Sequence, residues 1–420
     1  MTYLIKDALI LDKGSPYYQK TVDIAVENGV IIEISSNISS SNHTLITGKR
    51  LVLSTAFVDI HAQSGEPQDL ESETLHSFIE SATAGGFAYV SHVPNDRKLT
   101  QTKSDIIFLQ SENARSICQV LPYGNVTRTN DSKVLSAMMD MNEAGAVAFY
   151  DGNTNPLSLS VLKNALLYTK GFGGKVIVHP EKKELSKNGQ VNQGKMSVSL
   201  GYKGIPSEAE FMAVQEIVDI ASYVDAEILI MNITTEESID AIVKANKKSK
   251  QIFTAVSSTH LLFEESMLQD YDTNYKLNPP LRSSTTKKAI VHAVLKGKID
   301  MVCSQHTPCT TEEKCLEFDL ASTGIINLQT SFLACLEALG EEHIEKCIEL
   351  FSTNPAQYLG IPFPSVDIQT KGSFTLVDLE DEFELTAENN RSKSQNSPFF
   401  GRKMKGKIKG LISNGREIFY

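Results

Sequence analysis

The chain has 420 residues, and its 41% hydrophobic and 22% charged content is ordinary for a globular protein. A formal net charge of −11, without a run of Lys or Arg, argues against a nucleic-acid-binding surface. No apolar run approaches the roughly 20 residues of a membrane helix, and six cysteines without a C-x-x-C pair predict reduced thiols in a cytoplasmic protein.

The first 52 residues contain short segments of alternating polar and apolar residues. Turn signals at Lys13-Gly14 and Asn28-Gly29 separate these segments, and Asn-Gly is a favoured hairpin dipeptide. This pattern predicts a small β unit.

From residue 51 onward, apolar strand candidates alternate with helical periodicities. The eight predicted strands are Leu51–His61, Ala88–Pro94, Ile117–Tyr123, Ala146–Tyr150, Lys175–His179, Glu227–Asn232, Gln251–Val256 and Ile299–Ser304. Helical patterns cover Leu70–Ala84, Leu157–Thr169, Ser207–Ser222, Thr235–Ala245 and Thr286–Leu295, with two more at Ile326–Leu339 and Glu342–Phe351. Eight strands alternating with helices predict a parallel (β/α)₈ TIM barrel of the α/β class.

After Asn354-Pro355 the chain returns to β-like patterns. Neither end is long enough to bury a core alone, so we expect both to share one small β-sandwich. The predicted domains are a composite sandwich of residues 1–52 plus 364–420 and a barrel of residues 53–363.

Candidate site residues lie at the strand tips, since TIM-barrel chemistry occurs at the carboxyl ends of the strands. Three tip residues are able to ligate a metal ion, namely His61, Asp151 and His179. Comparable tips carry amides at Gln63, Asn232 and Gln305. The residues predict a polar cavity with too few good ligands for two metals.

Many short motifs occur in the order typical of one family. They are Val58-Asp59-Ile60-His61, Glu66-Pro67, Ala84-Gly85-Gly86-Phe87, Pro94-Asn95, Phe149-Tyr150-Asp151, His260-Leu261-Leu262-Phe263, Asn278-Pro279-Pro280-Leu281-Arg282, His306-Thr307-Pro308, Gly324-Ile325-Ile326, Asn354-Pro355-Ala356, and Ser392 to Pro398 with Gly401. The whole chain therefore resembles a dihydroorotase of the amidohydrolase superfamily, in the larger form often found bound to aspartate transcarbamoylase.

The resemblance implies a cyclic-amide hydrolase that interconverts dihydroorotate and carbamoyl aspartate with a zinc-bound hydroxide and an Asp that moves the proton. Carried over by position, the residual metal ligands are His61, Asp151 and His179, and the substrate-binding residues are Asn95 and His306. The family's other two metal-binding His positions hold Gln63 and Asn232. The position of its Asp base holds Gln305, and that of its carboxylate-binding Arg holds Gly65.

These departures predict at most one weakly bound zinc ion, or none, because amides are poor zinc ligands and Gln305 cannot act as a base near pH 7. Our hypothesis is a catalytically inactive pseudo-dihydroorotase, a homo-oligomer that acts as a scaffold for aspartate transcarbamoylase. The alternatives are an active hydrolase for a cyclic amide that uses one zinc ion, and a metal-free sensor that binds a small cyclic amide or carboxylate.

Four further residues leave alternatives open. His92 either replaces a lost ligand or is a packed histidine, and Cys303 and Cys309 flank the eighth strand tip, where a thiolate could bind zinc. Arg282 either contacts a ligand or holds a rigid turn.

Overall fold

The computed structural model describes residues 2–67, 69–94, 99–128, 133–153, 156–247 and 249–420. Eighteen strands, numbered β1 to β18 in chain order, lie in these ranges. They are Thr2–Ile10, Thr21–Glu27, Val30–Ser35, Thr44–Ile46, Leu51–Thr55, Phe57–Ala62, Phe87–His92, Gln119–Gly124, Ala148–Phe149, Val176–Val178, Val191–Asn192, Gly204–Ile205, Ile228–Ile230, Ile252–Ser257, Met301–Cys303, Phe374–Glu384, Lys403–Ser413 and Arg416–Phe419.

The same ranges contain fourteen α-helices, α1 to α14, and three short 3₁₀ segments. The α-helices are Leu75–Ala84, Lys103–Leu109, Met138–Glu143, Leu159–Lys170, Lys183–Ser186, Lys195–Leu200, Glu208–Val224, Glu236–Ala245, Ser258–Leu262, Ser284–Leu295, Thr311–Lys314, Ser331–Leu339, Ile344–Phe351 and Thr353–Leu359. The 3₁₀ segments are Glu265–Leu268, Thr273–Tyr275 and Glu341–His343. Among the described helices, none is long and apolar enough to cross a membrane.

Eight parallel strands form the predicted barrel, in the order β6, β7, β8, β9, β10, β13, β14, β15. The first and last strands meet just beyond their carboxyl ends, where Ala62 pairs in parallel with His306. Hydrogen bonds also hold this seam: the Gln63 N–H donates to the His306 carbonyl at 3.0 Å, and the Ser304 N–H and hydroxyl donate to the Asp59 carboxylate at 2.6 Å and 2.9 Å. The barrel is nearly closed, as the strand and helix alternation predicts.

Strands from both ends of the chain form a single sheet, in the order β18, β17, β16, β5, β1, β2, β3, with β4 paired to β1. The strand predicted as Leu51–His61 is therefore two strands. Its first half, Leu51–Thr55, pairs with β1 and β16 in the end sheet, and Phe57–Ala62 begins the barrel. Because Ala56 separates two apolar runs without a Gly or Pro, the sequence carries no signal for this change of sheet.

The end sheet packs against the outside of the barrel. Side chains of β5, β16 and β17 share one buried core with the barrel, which includes Phe57 and Phe332 stacked at 4.3 Å between ring centroids. The Thr375 hydroxyl donates to the Gly86 carbonyl at 2.6 Å across the same contact. The carboxyl ends of the barrel strands remain available for a site.

Candidate functional site

The carboxyl ends of the barrel strands surround a cavity of about 440 Å³. Three residues predicted from the strand tips line it: His61, Gln63 and Gln305. Tyr150 and Asn278 line it as well. The prediction of a polar cavity at this end of the barrel agrees with this arrangement.

Asp151 follows β9, and both oxygens of its carboxylate accept hydrogen bonds from the loop after β8. One oxygen accepts hydrogen bonds from the Val126 N–H at 2.7 Å, the Thr127 N–H at 3.1 Å and the Asn125 amide at 3.2 Å. The other oxygen accepts from the Thr127 hydroxyl at 2.6 Å. Burial raises the pKa of Asp151, and these hydrogen bonds oppose that rise. The carboxylate thus holds the loop after β8.

His61, which lines the cavity, has the buried His179 as a neighbour. Burial, together with the neighbouring His179, lowers the pKa of His61 to about 3, so its ring is neutral at pH 7. The Nε2 atom of His179 lies 3.6 Å from the Glu181 carboxylate. Although burial favours the neutral acid, His179 and Lys183 lower the pKa of Glu181 below its usual value.

These contacts do not fit the predicted residual metal set of His61, Asp151 and His179. Within the ranges that the structure describes, no three His, Cys, Asp or Glu side chains come together in a group that could hold a metal ion. The physical reason is that Asp151 accepts four hydrogen bonds, while the strand tips at Gln63 and Asn232 carry amides, which are poor metal ligands.

Three tip amides differ in what they contact. Asn232 is completely buried beside the His61 ring and does not face the cavity, and the Cys303 sulfur lies 4.0 Å from its oxygen. Gln305 does face the cavity, and its Nε2 atom donates to the Asn278 carbonyl at 2.6 Å. The Gln63 side chain lies in the cavity wall.

The predicted substrate residue His306 is buried, and its contact with a substrate stays a prediction. His306 is fully buried behind the cavity wall. Its Nδ1 atom accepts from the Asn327 N–H at 3.1 Å, so its Nε2–H donates to the Glu73 carboxylate at 3.3 Å. The other predicted substrate residue, Asn95, lies outside the described residues and stays a prediction.

Position 65, where the resemblance implies a carboxylate-binding Arg, has no room for a side chain in this chain. A Cβ atom on Gly65 would lie 1.8 Å from the Asp69 carbonyl oxygen and 2.4 Å from the Ser72 hydroxyl. The Asp69 N–H donates to the Gly65 carbonyl at 2.8 Å and holds this turn in place. The turn occupies the space that a side chain at position 65 would need.

The alternatives left open for His92, Cys303 and Arg282 concern side chains that are packed inside the protein. The His92 ring is buried, and its Nε2 atom lies 2.9 Å from the Ser64 hydroxyl. Burial raises the pKa of the Cys303 thiol, which disfavours a thiolate. Arg282 is buried in an ion pair with Glu210 at 3.3 Å, so it holds the turn and does not face the cavity.

Several lining residues were missed by sequence reasoning. Asn278 is the first residue of the motif in which only Arg282 was predicted as a candidate ligand contact. The signal for Asn278 was a polar amide side chain in a loop. Tyr150 and Asp69 line the cavity from segments adjacent to predicted tips. No pattern in the sequence distinguishes them from neighbouring polar residues.

Comparisons with known proteins identify the family. A family model described as dihydro-orotase-like matches residues 48–238. The chain is 30% identical to the dihydroorotase of Bacillus subtilis (strain 168) over 99% of this chain and 98% of that protein. It is also 30% identical to the dihydroorotase of Aquifex aeolicus (strain VF5), over 99% of both chains.

Solved structures agree on the fold. An L-hydantoinase (dihydropyrimidinase) from Arthrobacter aurescens matches with a TM-score of 0.84 at 19% identity, covering 100% of this chain and 96% of that chain. A D-hydantoinase (dihydropyrimidinase) from Thermus sp. matches with a TM-score of 0.80 at 18% identity and the same coverage. By its full-length similarity to dihydroorotases, this chain belongs to the dihydroorotase family of the amidohydrolase superfamily.

Proposed function

We propose that this chain is a catalytically inactive dihydroorotase homologue of pyrimidine biosynthesis, a cytoplasmic homo-oligomer that acts as a scaffold for aspartate transcarbamoylase. The observation that supports it most is the state of Asp151. Its carboxylate accepts four hydrogen bonds from one loop, three at one oxygen and one at the other, so a metal ion would compete with the contacts that fix this loop.

The missing base supports the same proposal. Gln305 occupies the strand tip at which the family's Asp moves a proton, and a neutral amide neither takes nor returns a proton near pH 7. Loss of a general base costs on the order of 10²–10⁴-fold in rate. A complete barrel and end sheet around such a centre favour a role in binding another protein.

The enzymatic part of this proposal is tested by assaying dihydroorotate hydrolysis with the full-length protein, before and after zinc is added. The Bacillus subtilis dihydroorotase serves as the active standard. We expect a rate equal to that of buffer under both conditions. Zinc-dependent turnover that disappears in His61→Ala but persists in the exposed-site control His76→Ala would instead establish a hydrolase that uses one metal ion.

The scaffold part is tested by mixing the purified protein with aspartate transcarbamoylase from the same organism. Size-exclusion chromatography with light scattering then reports the mass of each protein alone and of the mixture. We expect a homo-oligomer alone and a stoichiometric complex in the mixture. Separate elution at tens of micromolar would refute the scaffold role.

A further inference from the structure

A second cavity lies between the end sheet and the barrel, and we call it the junction cavity. Its walls come from α1 and α12 on the barrel side and from β16 and β17 of the end sheet, and its apolar members are Ala84, Leu333, Phe383 and Ile408. Its volume is about 300 Å³, and small-molecule sites occupy roughly 300–1,000 Å³. Among the described residues, none lines both this cavity and the one at the carboxyl ends of the barrel strands. The junction cavity is therefore separate from the candidate site described above.

The floor of the junction cavity is apolar. Leu333 is 1% exposed and Ile408 is 6% exposed, and the half-buried Phe383 ring lines the same space. Water in contact with such a surface is released when an apolar group takes its place, which favours binding. The floor is therefore suited to the apolar part of a ligand.

The rim of the junction cavity is held by amide hydrogen bonds. The Gln329 side chain accepts from the Arg391 N–H at 2.6 Å and donates to the Asn389 carbonyl at 3.0 Å. The Asn389 side chain in turn donates to the Glu384 carbonyl at 2.8 Å. These bonds fix the backbone on which Arg391 and Glu384 stand, so the cavity exists before a ligand enters.

One lysine of β17 differs from the other lysines of that strand. Lysines occupy alternate positions along β17, and three of the four form ion pairs, namely Lys403 with Glu382 at 3.7 Å, Lys405 with Glu341, and Lys409 with Asp381 at 3.5 Å. The fourth, Lys407, lines the junction cavity and has no ion pair with any residue that the structure describes. The lysine that faces the cavity is therefore the one whose charge is not neutralised within the strand's surroundings.

Two more charged side chains of the wall lack a partner. Arg391 is exposed and Glu384 is half-buried, and neither forms an ion pair or a side-chain hydrogen bond with the part of the chain that the structure describes. The remaining charged residue of the wall, Glu382, pairs with Lys403. The described wall thus presents two cations and one carboxylate without partners around an apolar floor.

We propose that the junction cavity binds a free α-amino acid with a large apolar side chain. Arg391 and Lys407 pair with the ligand carboxylate, and Glu384 pairs with its ammonium group. The apolar side chain of the ligand lies on the floor of Leu333 and Ile408. A simple carboxylate would leave Glu384 without a partner, and a simple amine would leave both cations without one. This inference does not depend on the scaffold role.

Three indole probes test the need for both charges. The chain contains no Trp, so the fluorescence of an indole ligand, excited where tyrosine does not absorb, has no background from the protein. L-Tryptophan carries both charges, tryptamine lacks the carboxylate, and indole-3-propionate lacks the ammonium group. Fluorescence anisotropy of each probe, titrated with the full-length protein, reports its affinity. We expect L-tryptophan to bind about tenfold more tightly than either of the other probes, which corresponds to about 1.4 kcal/mol.

Variants of the wall test which charge meets which group. Arg391→Met and Lys407→Met should each weaken L-tryptophan and indole-3-propionate about tenfold and leave tryptamine unchanged. Glu384→Gln should weaken L-tryptophan and tryptamine and leave indole-3-propionate unchanged. Arg416→Met and Glu388→Gln are the matched controls, because both residues are exposed and lie outside the cavity wall. None of the five positions is buried, so each variant should fold, and an unchanged melting temperature checks this.

Three results would overturn the inference. The first is binding of L-tryptophan with a dissociation constant above about 1 mM, which would leave solvent and counterions as the partners of the charged wall. The second is binding of tryptamine or indole-3-propionate as tight as that of L-tryptophan. The third is a pattern of losses among the variants that does not follow the charge that each one removes.

Discussion

At the scale of single residues, Asp151 shows that the contacts of a candidate ligand do not follow from its residue type. The sequence places an acid at the fourth strand tip, as the family motif predicts, but its oxygens are bound by Val126, Thr127 and Asn125. These partners lie about 25 positions earlier, in a loop whose conformation has no local signature. The identity of a candidate ligand is therefore predictable here, and its availability is not.

Gly65 yields a prediction about stability. Gly65→Ala should destabilise the fold by about 1–3 kcal/mol, because the added Cβ atom would lie 1.8 Å from the Asp69 carbonyl oxygen, a backbone atom that cannot rotate away. Urea unfolding measures the change. For the same reason, introducing Arg at position 65 should not create a carboxylate site.

Gly171→Ala is the control for this substitution. Gly171 has a φ of −68° at the end of α4, and its nearest neighbour would be an ordinary contact at 3.4 Å. We expect this variant to be neutral or slightly stabilising. If both variants lose the same stability, crowding at Gly65 is not the cause.

His260 yields a prediction about pH. Burial lowers the pKa of His260 to about 4, while its Nε2 atom bonds the Pro279 carbonyl at 2.9 Å. In the unfolded chain its pKa is about 6.5, so as pH falls below 6.5 the unfolded state gains the proton first and the fold loses stability. This residue should account for about 2 kcal/mol of the loss between pH 7.5 and pH 5.

His260→Gln should remove that share of the pH dependence, as measured by urea unfolding at the two pH values. His76→Gln, at an exposed position, should leave the dependence unchanged. An unchanged pH slope in the His260 variant would show that His260 protonates equally in both states. The lowered pKa of His61 acts in the same direction, so some slope should remain in His260→Gln.

At the scale of elements, a buried ion pair connects α7 to the turn after the seventh barrel strand. Glu210, in the first turn of α7, accepts from the N–H groups of Thr234 and Thr235 at 2.9 Å each, and it pairs with Arg282 at 3.3 Å. One carboxylate thus fixes a helix, the loop after β13 and the motif that follows α9. The sequence predicts only that Glu210 lies in the helical pattern Ser207–Ser222.

Glu210→Gln should destabilise the protein by about 3–5 kcal/mol, because the Arg282 charge would stay buried without a carboxylate. Glu216→Gln on the same helix is the matched control. The Glu216 side chain, which pairs with Lys182, is 37% exposed. The expected loss in the free energy of unfolding is therefore at most about 1 kcal/mol. Similar melting temperatures for the two variants would refute the role of burial.

The elements themselves were largely predictable. All eight barrel strands and seven of the helices follow apolar periodicity, which a single sequence displays directly. The helices Lys103–Leu109 and Met138–Glu143 were missed because each is only two turns or fewer, too short for a periodic pattern. The surroundings of His306 were not predictable for a different reason: its place beside a strand tip is local information, whereas its burial against Glu73 depends on packing between distant segments.

At the scale of the whole molecule, the barrel forms the cavity. The end sheet packs against the barrel through their shared core. Of the predicted site, His61, Gln63 and Gln305 line the cavity together, while Asp151, His179 and Asn232 lie beneath or beside it. Tip residues on alternate strand positions point to different sides of the wall. A shift of one residue at a strand end therefore decides whether a side chain meets the cavity.

The end sheet also sets the order of events during synthesis. Strand β5, Leu51–Thr55, pairs with β16, which begins only at Phe374. At roughly 5–20 residues per second, the ribosome needs on the order of half a minute to make the intervening chain. Throughout that interval the edge and apolar face of the first strands lack their native cover, so the newly made chain depends on the barrel or on chaperones to protect them.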